Sequence, residues 1–191
     1  MHKIVLDLET QKEFAEVGGR HANHKLRVSV CGVYSYQDDQ YQCFEEKDLA
    51  KLGEILQKTD LVIGYNIKQF DFAVLAPYFQ FSMDTVPALD ILVEIEKVLG
   101  HRIRLEAVAQ ATIGEGKTGS GLAAIDLWRK GQIEELKSYC LNDVKLTKEV
   151  YEYALANRKL LFQDFFEVRE MAITFPEILP RVNTTVQTSL F

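Results

Sequence analysis

The chain is poor in cysteine, in long apolar runs and in net positive charge, and each shortage excludes a class of function. Its three cysteines, Cys31, Cys43 and Cys140, are odd in number, scattered and without CxxC spacing. They suit neither a disulfide framework nor a thiolate zinc site, and read as small apolar residues in a reducing compartment. No apolar run approaches the length that crosses a bilayer. Met1-His2-Lys3 leads directly into a short strand, not a secretory leader. A cytoplasmic protein with no membrane partner is therefore expected. Lys and Arg number 22 against 28 acids, a formal charge of −6, which argues against gripping duplex DNA by general electrostatics. A nucleic-acid enzyme survives that argument, because an acidic metal site accounts for several of those charges and bound cations offset them. With no internal repeat and no second domain, 191 residues at 47% hydrophobic content suit a single core.

What is present is concentrated in the first ten residues. Lys3 to Thr10 reads as a strand, apolar on both faces as a covered central strand must be, that ends in two acids. Side chains along a strand alternate, so Asp7 and Glu9 share a face. Two like charges held that close repel, and a divalent cation between them removes the cost. The plainer alternative is that they mark a solvated strand end.

Residues 11–26, with Gly18-Gly19, His21 and His24, read as a long turn whose histidines are solvated. Residues 27–36 alternate as a strand, Asp38-Asp39 turns, and Tyr41 to Phe44 returns. Helical spacing follows over Lys47 to Lys58, then a short apolar strand over Leu61 to Tyr65. A helical run is expected over Phe70 to Phe79, then strand and helix over Ala88 to Leu99 with Gly100 as the stop. Leu105 to Ile113 and Leu122 to Lys130 are further helices. They flank a glycine-rich loop from Gly114 to Gly121. Ile133 to about Ala156 is a long amphipathic helix. Residues 159–175 fit a hairpin or a helix, and from Pro176 the chain reads as an exposed tail, giving a domain over 1–175 and a tail over 176–191. Three antiparallel strands, then strand and helix in alternation, predict an α/β mixed sheet with helices on both faces.

Two more acids stand out. Asp71 opens a helix that follows a strand, where sites of α/β sheets gather; alternatively it is an acid favoured by the helix dipole. Asp143 lies four residues after Tyr139 on the long helix, so the two share a face. The alternative there is an exposed acid beside a core tyrosine. Together Asp7, Glu9, Asp71 and Asp143 offer oxygen ligands only, a set that suits Mg²⁺ or Mn²⁺ better than zinc. Two such ions clamp the attacking and leaving oxygens of a phosphodiester.

The ordered motifs Asp7-x-Glu9, Asn66-x-x-x-Phe70-Asp71 and Tyr139-x-x-x-Asp143 resemble those of the DEDD 3′–5′ exonucleases of the ribonuclease H-like fold. The stretch from Tyr65 to Leu75 is similar to the second motif of the proofreading exonuclease domain of family B DNA polymerases. Arg104 to Ala109 followed by Gly114 to Lys117 resembles the segment before that group's third motif. The tyrosine four before Asp143 marks the tyrosine (DEDDy) subgroup; the histidine subgroup needs a His where Ser138 stands. The resemblance implies stepwise hydrolysis at nucleic-acid 3′ ends, single-stranded DNA rather than RNA, in repair or replication. It makes Asp7, Glu9, Asp71 and Asp143 the ligands of two ions and Tyr139 the residue that positions water. It places Leu8, Thr10, Asn66 and Phe70 against the terminal nucleotide. No polymerase domain follows, so a stand-alone nuclease or a subunit acting in trans is expected. An exoribonuclease and a catalytically silent partner-binding module are the competing readings.

Two further segments carry motif-like patterns. Ala111 to Thr118 formally matches a phosphate-binding loop, but such a loop must follow a strand and open a helix. Helical periodicity precedes it here, and Lys117 reads instead as a basic residue near the nucleic-acid backbone. The terminal Gln187-Thr188-Ser189-Leu190-Phe191 resembles the sliding-clamp-binding peptide of bacterial replication proteins. In that reading Leu190 and Phe191 fill an apolar pocket and Gln187 hydrogen-bonds at its rim.

Overall fold

The computed structural model describes residues 1–116, 121–164 and 167–177; Lys117, Gln187, Leu190 and Phe191 lie outside the described residues. Five strands, β1 (Lys3–Thr10), β2 (Val28–Ser35), β3 (Gln40–Glu45), β4 (Leu61–Gly64) and β5 (Ala88–Asp90), form one sheet in the order β3-β2-β1-β4-β5. β1, β2 and β3 pair antiparallel. β4 pairs parallel with both β1 and β5. This is the expected mixed sheet, and β1 is its middle strand.

Helices cover both faces. Ile4, Leu6 and Leu8 of β1 pack with α2 (Leu49–Lys58) and α3 (Asp71–Leu75). Val5, on the opposite face, packs with α4 (Ile91–Leu99), α5 (Leu105–Ile113) and α7 (Ile133–Asn157). A third cluster joins Val30 of β2 to Ala124 of α6 (Gly121–Arg129) and to Leu136, Tyr139 and Cys140 of α7. All eight residues of β2 are buried, which requires cover on both sides.

Two expectations need correction. Residues 11–26 are not a plain turn: they hold a short helix, α1 (Phe14–Val17), and a 3₁₀ segment over Arg20–Lys25. Gly18 and Gly19 supply the positive φ between them, 94° and 112°. The run Phe70 to Phe79 is helical only to Leu75, and Ala76–Tyr78 tightens to a 3₁₀ turn. Pro77 brings no N–H to continue the i→i−4 pattern. The undecided segment after the long helix resolves as an antiparallel pair, β6 (Lys159–Asp164) and β7 (Glu167–Ala172). Among the described residues no helix is long and apolar enough to cross a membrane.

Candidate metal centre and cleft

The site lies where β1 outlasts its parallel neighbour. β4 pairs with β1 only over Lys3 to Val5 and stops at Gly64. The next turn is tight: a Cβ on Gly64 would stand 2.7 Å from Ile67 Cβ. Beyond Val5, β1 keeps its β2 pairing but has lost a ladder partner on the other edge. The Leu8 N–H there donates to Asp71 Oδ1 at 3.1 Å. Asp71, first residue of α3 and 3% exposed, thus replaces the missing strand.

On the α7 face of β1 the apolar row begun by Val5 continues as Asp7 and Glu9. α7 brings Tyr139 and Asp143 to the same place, both buried. It can come that close because Gly32 of β2 stands opposite Asp7. A Cβ on Gly32 would meet Val144 at 2.9 Å, Cys140 at 3.0 Å and Leu141 at 3.2 Å. Carboxylate oxygens of Asp7, Glu9 and Asp143 lie within 4.8 Å of one another. Asp71 is not in that three-acid group, but it lines the same cleft, of about 650 Å³, with Leu8, Thr10, Phe70 and Tyr139.

Burial, and then the charge of Asp7, push the Asp71 carboxyl well above the ordinary aspartate range, against the amide bonds that lower it. The Cys31 thiol is raised chiefly by burial and next by the charge of Asp71. A region so dense in negative charge accommodates a cation. The donors are all carboxylates, which fits a hard divalent ion and not a zinc site of nitrogen and sulfur ligands.

The other expected residues have distinct settings. Leu8 lines the cleft, but its side chain belongs to the apolar core beneath the sheet. Thr10 Oγ1 donates to the Lys12 carbonyl at 3.0 Å. Asn66 adopts φ +66° and does not line the acid cleft; it lines the adjoining cavity, and its Oδ1 accepts from Arg102. Phe70 packs edge-on against Phe14, ring centroids 6.0 Å apart. His21 and His24 are exposed, as a solvated loop implies.

Sequence reasoning missed two parts of the site. One is the wall built by residues 12–26, of which Lys12, Phe14 and Arg20 line the cleft. Its signal, apolar Phe14, Val17 and Leu26 among polar residues, was too sparse to set a period. The other is Asp90, 1% exposed, which accepts from the amides of Asn66 at 2.8 Å and of Lys68 and Leu92 at 3.1 Å. It braces the turn that carries the second motif.

Carboxylates gathered at the end of a central strand, facing a helix that adds another, define a hard-cation site suited to phosphoryl chemistry. A profile of the RNase H superfamily matches residues 5–155, from β1 through most of α7 and so across all four acids and Tyr139. The chain belongs to the RNase H superfamily. That membership supports a metal-dependent nuclease, a hydrolase acting on nucleic acid. No curated protein matches the chain.

Proposed function

We propose that the protein is a DEDDy-type 3′–5′ exonuclease that removes nucleotides from single-stranded DNA ends with two Mg²⁺ or Mn²⁺ ions. The observation that carries this reading is the convergence of Asp7, Glu9 and Asp143 within 4.8 Å in a cleft that Asp71 and Tyr139 also line. The preference for DNA is supported by the likeness of residues 65–75 to the proofreading motif. The net acidic charge suits a single strand held by a few contacts rather than a duplex gripped along its length.

Asp7, Glu9 and Asp143 would hold the cations, with Asp71 completing the acid set in the same cleft. Bound there, divalent cations would supply Lewis-acid stabilisation of phosphate charge and would lower the pKa of a water. The Tyr139 hydroxyl hydrogen-bonds the attacking water and fixes its line of approach. A phenol hydroxyl both donates and accepts a hydrogen bond, which suits this group to positioning a water. Phe70, braced by Phe14, offers a ring face or edge to the terminal base.

The test is a 5′-labelled single-stranded oligonucleotide incubated with Mn²⁺. A ladder shortening one nucleotide at a time from the 3′ end is expected, abolished by EDTA and by Asp7→Ala. Internal cuts, or equal rates in Asp7→Ala, defeat the proposal. Competing DNA and RNA strands in one tube decide the sugar preference.

A further inference from the structure

We infer that Arg20 and Arg104 clamp the phosphodiester immediately upstream of the scissile one, so that the cleft takes a strand of at least a trinucleotide and discriminates against an isolated nucleotide ester. The inference rests on the nuclease reading above.

The acid-lined cleft does not end at the acids. A second cavity of about 600 Å³ continues from it, with Asp7, Arg20, Tyr65 and Arg104 common to both. A strand whose terminal phosphodiester lay over the acids and whose body ran into the second cavity would bring its next phosphodiester to this shared edge. Both arginines there are exposed, in a chain of net charge −6. Among the described residues neither has a carboxylate ion-pair partner. Their neighbours are committed: Arg102 pairs with Glu96, and Arg129 with Glu13 and Glu16. A guanidinium fork matches two phosphate oxygens, which a lysine ammonium does not.

Both arginines stand on fixed backbone. The Arg20 guanidinium lies 5.2 Å from the centroid of the Phe14 ring, a contact that orients it. The segment that carries it is tied to α6 by the Glu13 and Glu16 pairs with Arg129. Its other end is tied by Asn23 Nδ2, which donates to the Gln69 carbonyl at 2.9 Å. Arg104 caps α5, and its carbonyl accepts from the amides of Ala107 at 3.1 Å and Val108 at 3.3 Å. Glu106 is the one acid the second cavity adds to Asp7, so the edge itself stays positive.

The test compares wild type with Arg20→Ala and Arg104→Ala. Arg169→Ala, on the terminal hairpin, controls for loss of one positive charge. Hydrolysis in Mn²⁺ is measured on a single-stranded 20-mer and on the p-nitrophenyl ester of thymidine 5′-monophosphate, which has no upstream phosphodiester. Binding of the 20-mer is followed by fluorescence anisotropy in Ca²⁺ at several salt concentrations. Each clamp variant should raise the ratio of oligonucleotide KM to ester KM roughly tenfold. Each should also reduce the slope of log affinity against log salt by about 0.7, the value for one single-strand phosphate contact. The control should shift neither. An unchanged ratio and slope in both clamp variants, or no binding of the 20-mer by wild type, overturns the clamp. Arginine-dependent binding without any hydrolysis by wild type sustains the clamp and sinks the nuclease reading alone.

Discussion

β1 and β5 run in the same direction with β4 between them, and each carries an acid toward its C-terminal end. Their surroundings differ. Asp90, ending β5, is almost fully buried, and its oxygens accept three backbone amides. Fixed N–H dipoles compensate its charge, so no ion is needed. Asp7, on β1, meets Glu9 and Asp143 instead. Carboxylates that face one another repel, and a divalent cation held between them offsets that repulsion. In the reading proposed above, the difference separates a structural brace from a metal ligand, and it lies in what the oxygens face, since Asp143 is as deeply buried as Asp90.

The sharpest way to break that comparison is to neutralise one acid of each kind. Asp143→Asn should lower the nuclease rate by about a thousandfold, since metal ions supply several kcal/mol of charge stabilisation. It should also abolish the rise in Tm that Mn²⁺ gives the wild type, while the metal-free variant stays folded. Unchanged Mn²⁺ stabilisation in Asp143→Asn would remove α7 from the metal centre.

Asp90→Ala should do the reverse. Three amides, that of Leu92 buried and those of Asn66 and Lys68 partly so, lose a charged acceptor, and each such bond contributes roughly 1.5–3 kcal/mol. A loss of about 3 kcal/mol or more is expected in urea denaturation, with Mn²⁺ still raising the Tm of the folded fraction. Wild-type stability in Asp90→Ala would show that the brace is dispensable.

Much of this was legible from residue order, and the parts that were not share a cause. Period-two alternation put Asp7 and Glu9 on one face, and i, i+4 spacing put Tyr139 and Asp143 on another. Both are local geometry. That α7 lies close enough to β1 to join those pairs depends on Gly32, a residue whose missing side chain leaves no periodic signal. Asp90 was invisible for a related reason: its three donors are backbone groups, which every sequence possesses. The separation of Asp71 from the three-acid group comes from the early stop of β4, a matter of strand length that short apolar runs do not fix. Phe14 and Arg20 sit in a segment whose order comes from tertiary ties to Arg129 and Gln69 as well as from its local Glu13–Glu16 cap.

Gly32→Ala sharpens the comparison without touching an acid. The added methyl would lie 2.9 Å from Val144 Cγ2 and 3.0 Å from Cys140 Sγ, so these side chains must give way, and α7 is expected to move with them. Overpacking of this kind costs roughly 1–3 kcal/mol. Because Asp143 rides on the displaced helix, activity should fall about tenfold or more, further than the stability change alone implies. The check is a rate measured beside a urea curve; equal activity in a protein that keeps its stability would show that α7 has slack at this crossing.

The smallest expected effect decides where Asp71 belongs, since it resembles Asp90 in accepting an amide from Leu8 and resembles Asp7 in facing another acid. In the metal-free protein its carboxyl is raised, by burial first and by Asp7 next. The folded chain therefore holds that proton to higher pH than the unfolded chain does. Between the ordinary aspartate range and the raised folded value the native state binds more protons, so this group's contribution to stability falls as pH rises through that window. Asp71→Asn keeps an oxygen for the Leu8 amide and has no charged form. In EDTA it should raise the Tm at neutral pH by a few degrees, flatten its decline from pH ~4 upward, and leave the acid end of the curve unchanged. A variant that tracks the wild-type curve would mean that Asp71 is ionised and content in the empty fold, a second brace like Asp90. A flattened curve, with Mn²⁺ reversing the order of stability by favouring the wild-type carboxylate, would group it with the acids of β1.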